Sequence, residues 1–325
     1  MKHLPFFILF FILLLGALCF SPRPVIVAES AYAPPLFARV TSAPLSELSG
    51  LAHSRRQPKV VWAHNDSGDE ARLFALDTQG RSILPTYAAL TQYGDAPQMG
   101  KTQWQGFAVL GASNVDWEDI TADDNYLYVA DLGNNRNRRR NLAIYALSEI
   151  DPTASTRSAV IQKYPVVYPD QHEFPDPSWD FDSESLFAAD GNLYVITKHR
   201  AATWPHKWER GAKLYRLDTR YTDRDNLLTL VDSHPELTAA TGAELSPDGQ
   251  RLAVVSYTEL WLFERPAEGG DKWLSAPARR IALDPRVLKQ VESVTWLDEA
   301  TLLLGNEQRE LYLMDAAAVE RAPAR

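Results

Sequence analysis

Several short stretches of the sequence set carboxylates beside amides and cations. His64-Asn65-Asp66-Ser67-Gly68-Asp69, Asp131-Leu132-Gly133-Asn134-Asn135-Arg136, Lys198-His199-Arg200 and Asn306-Glu307 form one kind. Asp116 with Glu118, Asp182 with Glu184, and Glu292 form a second kind, each just ahead of an apolar run. Carboxylates brought together repel, and are tolerated only with a metal ion, a cationic partner or a raised pKa. Oxygen donors of this hard type suit Ca²⁺ or Mg²⁺ rather than Zn²⁺. The candidate metal ligands are Asp66, Asp69, Asp116, Glu118, Asp131, Asn134 and Glu184. His64, Lys198, His199, Arg136, Asn306 and Glu307 are the candidates for holding a ligand beside the ion. Other chemistries lack support. The histidines are scattered without zinc spacing, and no G-x-S-x-G elbow exposes a serine. Asp131-Leu132-Gly133-Asn134-Asn135 is a fragment of a calcium loop without EF-hand spacing or a terminal Glu. A structural alternative stands beside each candidate, because Asp, Asn and Gly also make turns and cap backbone N–H groups. The run Arg136, Arg138, Arg139, Arg140 equally reads as an anion clamp or as a solvated loop.

The elements that position these residues repeat. Ile144-Tyr145-Ala146-Leu147-Ser148 has counterparts at Leu73–Asp77, Leu214–Asp218, Leu260–Glu264 and Leu311–Asp315: aliphatic, aromatic, any residue, large apolar, then acidic or Ser. That alternation builds a strand with two differently packed faces. A more uniformly apolar strand precedes each copy: Val60–Ala63, Leu127–Ala130, Leu193–Ile196, Leu252–Val255 and Leu302–Leu304. Uniform hydrophobicity means burial on both faces. Before those lie the segments Ser49–Ala52, Glu118–Thr121, Glu184–Phe187, Gly242–Leu245 and Glu292–Thr295, set off in three cases by a polar turn such as Asp190-Gly191-Asn192. A fourth strand is expected at Phe107–Ala112, Val160–Val167, Leu227–Val231 and Ile281–Leu283. The last copy lacks one at its own end, and Phe37–Val40 supplies it from the other end of the chain. Such a strand closes the ring of a β-propeller.

The predicted fold is therefore an all-β propeller of five blades, with a sixth conceivable within 83–106 or 149–180. A β-sandwich is the competing architecture, but it has no reason to repeat four strand types in fixed order. Inserts at Leu84–Gln105, Tyr168–Phe181 and His199–Lys213 break the rhythm. Trp204 and Trp208 on the third either stack on a ligand or pin the insert to its blade. In a propeller the loops between second and third strands share one face with the starts of the first strands. The candidate acids and cations should meet there.

Lys2 and His3 precede an uncharged apolar run from Leu4 to Phe20, which Ser21-Pro22-Arg23-Pro24 ends. Residues 1–33 are read as a signal peptide or N-terminal membrane anchor, 34–317 as the propeller and 318–325 as a disordered tail. Cys19, the single cysteine, follows Leu18 where a lipidation site needs a small residue. The chain is expected to be exported, periplasmic or secreted, and held by its core without disulfides. A formal net charge of −9 argues against nucleic acid as a partner, and contact with the membrane is expected only through the N-terminal segment. A monomer is expected.

The stretches SGLA, WAHNDSGDEARLFALDTQGR, NVDWEDI, YVADLGNNR, TGAELSPDGQRLAVVSY and VESVTWLDEATLLLGNEQ resemble a family of bacterial exported propellers related to esterase-like phytase domains. The similarity spans most of residues 45–315, and NDSG with DWEDI is its most specific part. Relatives often carry an acid where this chain has Asn134, so a metal site here would be one charge poorer. The resemblance implies the propeller fold and an address outside the cytoplasm. The expected function is binding or recognition of a small molecule or protein through a cation-bearing loop face. The alternatives are a metal-dependent phosphoester hydrolase, with Arg136, Lys198 or His199 on the phosphate, and a protein-interaction scaffold.

Overall fold

The computed structural model describes residues 31–91, 93–94, 101–201 and 204–320. The apolar N-terminal run lies outside them. No described helix is long and apolar enough to cross a membrane.

Strands dominate, and they come in groups of four. The first two groups, Leu48–His53 to Phe107–Leu110 and Asp119–Ala122 to Arg157–Val167, join edge to edge into one sheet. Their outer strands run parallel there, Arg157 opposite Ala108 and Ala159 opposite Leu110. At its far end the same outer strand pairs in parallel with Asn226–Leu227, so it stitches three successive groups. Separate four-stranded sheets follow: Asp182–Ala189 to Thr229–Thr238, then Ala240–Leu245 to Ala278–Ala282. In the last sheet Val291–Trp296, Thr301–Asn306 and Glu310–Asp315 are completed by Leu36–Arg39 from the start of the chain. The expected closing strand is therefore present, antiparallel to Glu310–Asp315, with Arg39 paired to Glu310 at 2.6 Å.

The core lies between groups rather than within one. One buried cluster interleaves Trp62, Phe107, Trp117, Val129 and Tyr145 from the first two groups. Another sets Val40, Leu51 and Phe74 against Leu303 and Leu311, packing the last group onto the first. The innermost strands touch in a cycle: Leu48–His53, Asp119–Ala122, Asp182–Ala189, Ala240–Leu245, Val291–Trp296 and back to the first. Hairpin turns follow local chemistry. Asp190 and Gly191 both take positive φ, 50° and 76°, as a two-residue turn with right-handed strand twist requires.

Three expectations change. The fourth strand expected at Ile281–Leu283 is Ala278–Ala282, because Leu283 turns inward and accepts Tyr32 as a parallel bridge partner. Tyr32, set aside with the leader, thus belongs to the fold. The tail expected to be disordered from 318 begins as a helix, Ala316–Glu320, with Val319 fully buried. An Ala-rich run favours helix and Val319 has a core to enter; residues 321–325 lie outside the described ones.

Some acids near the axis are structural. Asp119 accepts hydrogen bonds from the N–H groups of Ile120, Leu186 and Ala243, tying three innermost strands together. Glu244, 4% exposed, accepts from the Thr121 hydroxyl at 3.2 Å and faces Arg55 at 3.8 Å. Burial pushes its carboxyl up to about 8 against the pull of both partners. Between the ordinary glutamate range near 4.5 and about 8, the folded chain holds a proton that the unfolded chain has released. This contribution to stability is present below about 4.5 and is lost as pH rises to about 8. Glu244→Gln should remove that slope, at roughly 1.4 kcal/mol per pH unit as an upper bound. Thermal melts of wild type and variant should diverge from pH 5 to pH 9, the variant gaining by several degrees; parallel curves would refute this.

Candidate cation site where the innermost strands begin

Asp116 and Glu118 lie just before the strand Asp119–Ala122, and Asp182 and Glu184 open the strand Asp182–Ala189. Asp66 follows the end of Val61–Asn65. The three positions converge. One carboxylate oxygen from each of Asp66, Asp116 and Glu118 lies within 4.8 Å of the others, and the same holds for Glu118, Asp182 and Glu184. That is about twice a Ca²⁺–oxygen distance of ~2.4 Å, so one ion could touch all three oxygens of a triad. Glu118 belongs to both triads.

Charge is distributed unevenly. Lys198, 1% exposed, is ion-paired with Glu184, and its ammonium also donates to the Tyr257 hydroxyl at 3.1 Å and lies 4.2 Å above the Trp208 ring. Arg200 holds Asp182 at 2.7 Å and stacks on Trp208 at 4.1 Å. The second triad is thus covered by two cations and two aromatic rings. Among the described residues no cation is ion-paired with Asp66, Asp116 or Glu118. Burial, with the neighbouring Asp66 and Asp182 charges, pushes the Asp116 carboxyl up to about 6. Glu118 rises well above its ordinary range from burial and from Glu184, Asp66 and Asp116. Glu118 is 4% exposed, and no described residue donates a hydrogen bond to its carboxylate.

The loop Asp131–Asn137 cradles this cluster. Arg139 spans Asp131 at 2.7 Å and the Gly133 carbonyl, and Asp131 accepts the Asp116 N–H at 3.1 Å. Gly133 is needed for close approach, since a Cβ there would run into the Glu118 and Asp116 carboxylates. The Asn134 side chain accepts from the N–H groups of Arg138 and Arg139 and donates to the Phe181 carbonyl, so it fastens the loop, while its backbone N–H donates to the Asp182 carboxylate at 2.7 Å.

The remaining candidates fall elsewhere. Asp69 is held by Arg72 at 2.6 Å and Asn65 at 2.6 Å, within its own turn. His64 is fully buried against Gly50 and Trp117, and burial pushes it down to about 4, leaving a neutral imidazole. His199 packs on Gly211 with Asp180 3.6 Å away, outside the triads. Asn306 bonds Leu288 and Glu310, closing the last group. Glu307 accepts from Gln290 at 2.8 Å, and burial raises its carboxyl, with Asp66 and Glu47 adding to the rise. Arg136 is exposed on the loop, with no partner among the described residues. Sequence reasoning had no place for Tyr257, although it occupies in its group the turn that Lys198 leads into in the preceding one. Two grooves of about 570 and 430 Å³ share Ser275, Ala276 and Pro277 and touch none of the clustered acids.

Four-stranded sheets packed face to face in a cycle, and closed by a strand from the opposite terminus, define a β-propeller. The chain belongs to the lipoprotein LpqB beta-propeller domain family, whose profile matches residues 153–319, just over half of the 325. No curated protein matches it in sequence. Among solved structures it is similar to the PQQ-bound form of an aldose sugar dehydrogenase from Streptomyces coelicolor, at 9% identity and a TM-score of 0.45, covering 88% of this chain and 98% of that one. It is also similar to the Dos1 propeller, at 11% identity and a TM-score of 0.34, covering 82% of this chain and 56% of that one.

Proposed function

We propose that this chain is an exported, monomeric, five-bladed propeller that binds one divalent cation, Ca²⁺ or Mg²⁺, and uses it to recognise a ligand. The carrying observation is Glu118: it is 4% exposed, has no hydrogen-bond donor to its carboxylate among the described residues and is shared by two triads. The second triad holds a buried Glu184 oxygen without a donor, and a cation would satisfy both. Asp66 and Asp116 complete the oxygen set, and Gly133 lets the loop close over it. Leaving such groups unpaired costs several kcal/mol, on the order of an unmatched buried ion. The count of five rests on the cycle of five innermost strands. Export rests on the apolar run Leu4–Phe20 and on a family named for a lipoprotein. The bound ion would leave coordination positions for an oxygen-bearing small molecule or protein side chain, with exposed Arg136 on the adjoining loop for an anionic group. Asp131, Asn134 and Asp69 act in this reading as supports rather than ligands.

Titrating the full-length chain with Ca²⁺ and Mg²⁺ by calorimetry tests the reading. One bound cation in wild type and none in Asp66→Ala or Asp116→Ala is expected. Absence of binding in wild type would overturn it. The same samples decide between recognition and the phosphoester hydrolysis that the phytase-like resemblance implies. Recognition predicts no cation-dependent release of phosphate from a phosphate ester, since no described side chain beside the ion is placed as a general base.

A further inference from the structure

Two acid triads share Glu118, and only one of them carries built-in positive charge. The triad Glu118, Asp182, Glu184 has Lys198 ion-paired to Glu184 and Arg200 ion-paired to Asp182. The Lys198 ammonium is enclosed: Tyr257 accepts a hydrogen bond from it at 3.1 Å, and the Trp208 and Tyr257 rings face it at 4.2 and 4.9 Å. Those ring faces favour a cation and keep it in place. The triad Asp66, Asp116, Glu118 has no such partner among the described residues, and the neighbouring guanidinium of Arg139 is spent on Asp131. One Glu184 oxygen also remains buried without any hydrogen-bond donor, so the Lys198 triad keeps an unused ligand atom.

We propose that the Lys198 ammonium stands in the place of a second metal ion, so that the cluster binds one divalent cation when it has the geometry for two. This rests on the cation reading above and adds its stoichiometry and the residue that sets it. A tethered ammonium compensates Glu184 without leaving, and its charge repels an ion from the second triad. Removing Lys198 would release Glu184 beside Glu118, two hard-oxygen carboxylates, while Arg200 stays paired with Asp182. The change would convert a one-ion site into a two-ion site, with Glu118 as the bridging ligand.

Equilibrium dialysis of the full-length chain against Ca²⁺ alone, with bound metal quantified, tests this. Wild type is expected to bind one Ca²⁺ per chain, and Lys198→Met two. The double variant Lys198→Met/Glu184→Gln is expected to return to one, because it removes both the ammonium and a ligand of the second triad. It also leaves no uncompensated charge from the pair, which guards against a fold lost merely by splitting a buried ion pair. Wild type binding no Ca²⁺ would overturn the cation site itself. One ion in wild type and one in Lys198→Met would overturn only the role of Lys198. Two ions in wild type would do the same, and this last measurement holds even if Lys198→Met fails to fold.

Discussion

Deleting residues 34–42 is expected to lower the melting temperature by roughly 10 °C or more, or to abolish cooperative unfolding. The segment supplies the outer strand of the last sheet, Leu36 opposite Tyr312 and Arg39 opposite Glu310. It also delivers Val40, 2% exposed, into the cluster shared by the last and first groups. Its own strand is largely exposed, so the loss comes from backbone pairing, from Val40 and from the Arg39–Glu310 pair. A few net hydrogen bonds at ~1 kcal/mol each and one buried valine at ~2 kcal/mol sum to about 5 kcal/mol. The Glu310–Asp315 edge would then be bare, open to pairing with another chain. Melting followed by circular dichroism, with light scattering for association, reads both effects. A deleted protein melting within a degree or two of the intact chain would show that the ring does not depend on this strand.

Replacing Glu118 by Gln should abolish stabilisation by Ca²⁺ while raising the melting temperature in its absence. In wild type an ion present at 100 times its dissociation constant adds about 2.7 kcal/mol to folding. Glutamine keeps the shape of the side chain but removes the charge that both triads share. Without the ion, Glu118 is a buried acid facing Asp66, Asp116 and Glu184, and neutralising it relieves that repulsion. The two signs together are diagnostic, because a purely structural carboxylate would lose stability under both conditions. Equal Ca²⁺-induced shifts in wild type and Glu118→Gln would remove Glu118 from the site.

The features legible in the sequence were those written locally. Alternation in Leu73–Leu76 and its counterparts, and uniform burial in Leu127–Asp131, are properties of short windows, and these strands stand where the pattern placed them. The closing strand was legible because one repeat lacked a member at one terminus and an apolar segment waited at the other. Asp66, Asp116, Glu118 and Glu184 were legible as positions within a repeat, which is why they could be grouped before any contact was visible. What the sequence concealed depends on pairing across distance. Lys198 looked like a ligand-facing cation, and only the fold shows it enclosed by Glu184, Trp208 and Tyr257. Asp69 and Asn134 have the residue types of metal ligands, but Arg72 and the Arg138 and Arg139 amides engage them first. The outer strands shifted most, since they pack on one side only and their register is weakly specified.

The outer strand Arg157–Val167 divides the ring mechanically. It joins the first two groups into one hydrogen-bonded sheet and also clasps Asn226–Leu227 beside the third. Among the described residues the sheets that begin at Ala240 and Val291 share no strand pairing with their neighbours. Amide hydrogens around residues 108–110 and 157–167 should therefore exchange with solvent in concert, as one cooperative unit. A pull applied across the molecule would separate it first at the unclasped seams, leaving the stitched half folded.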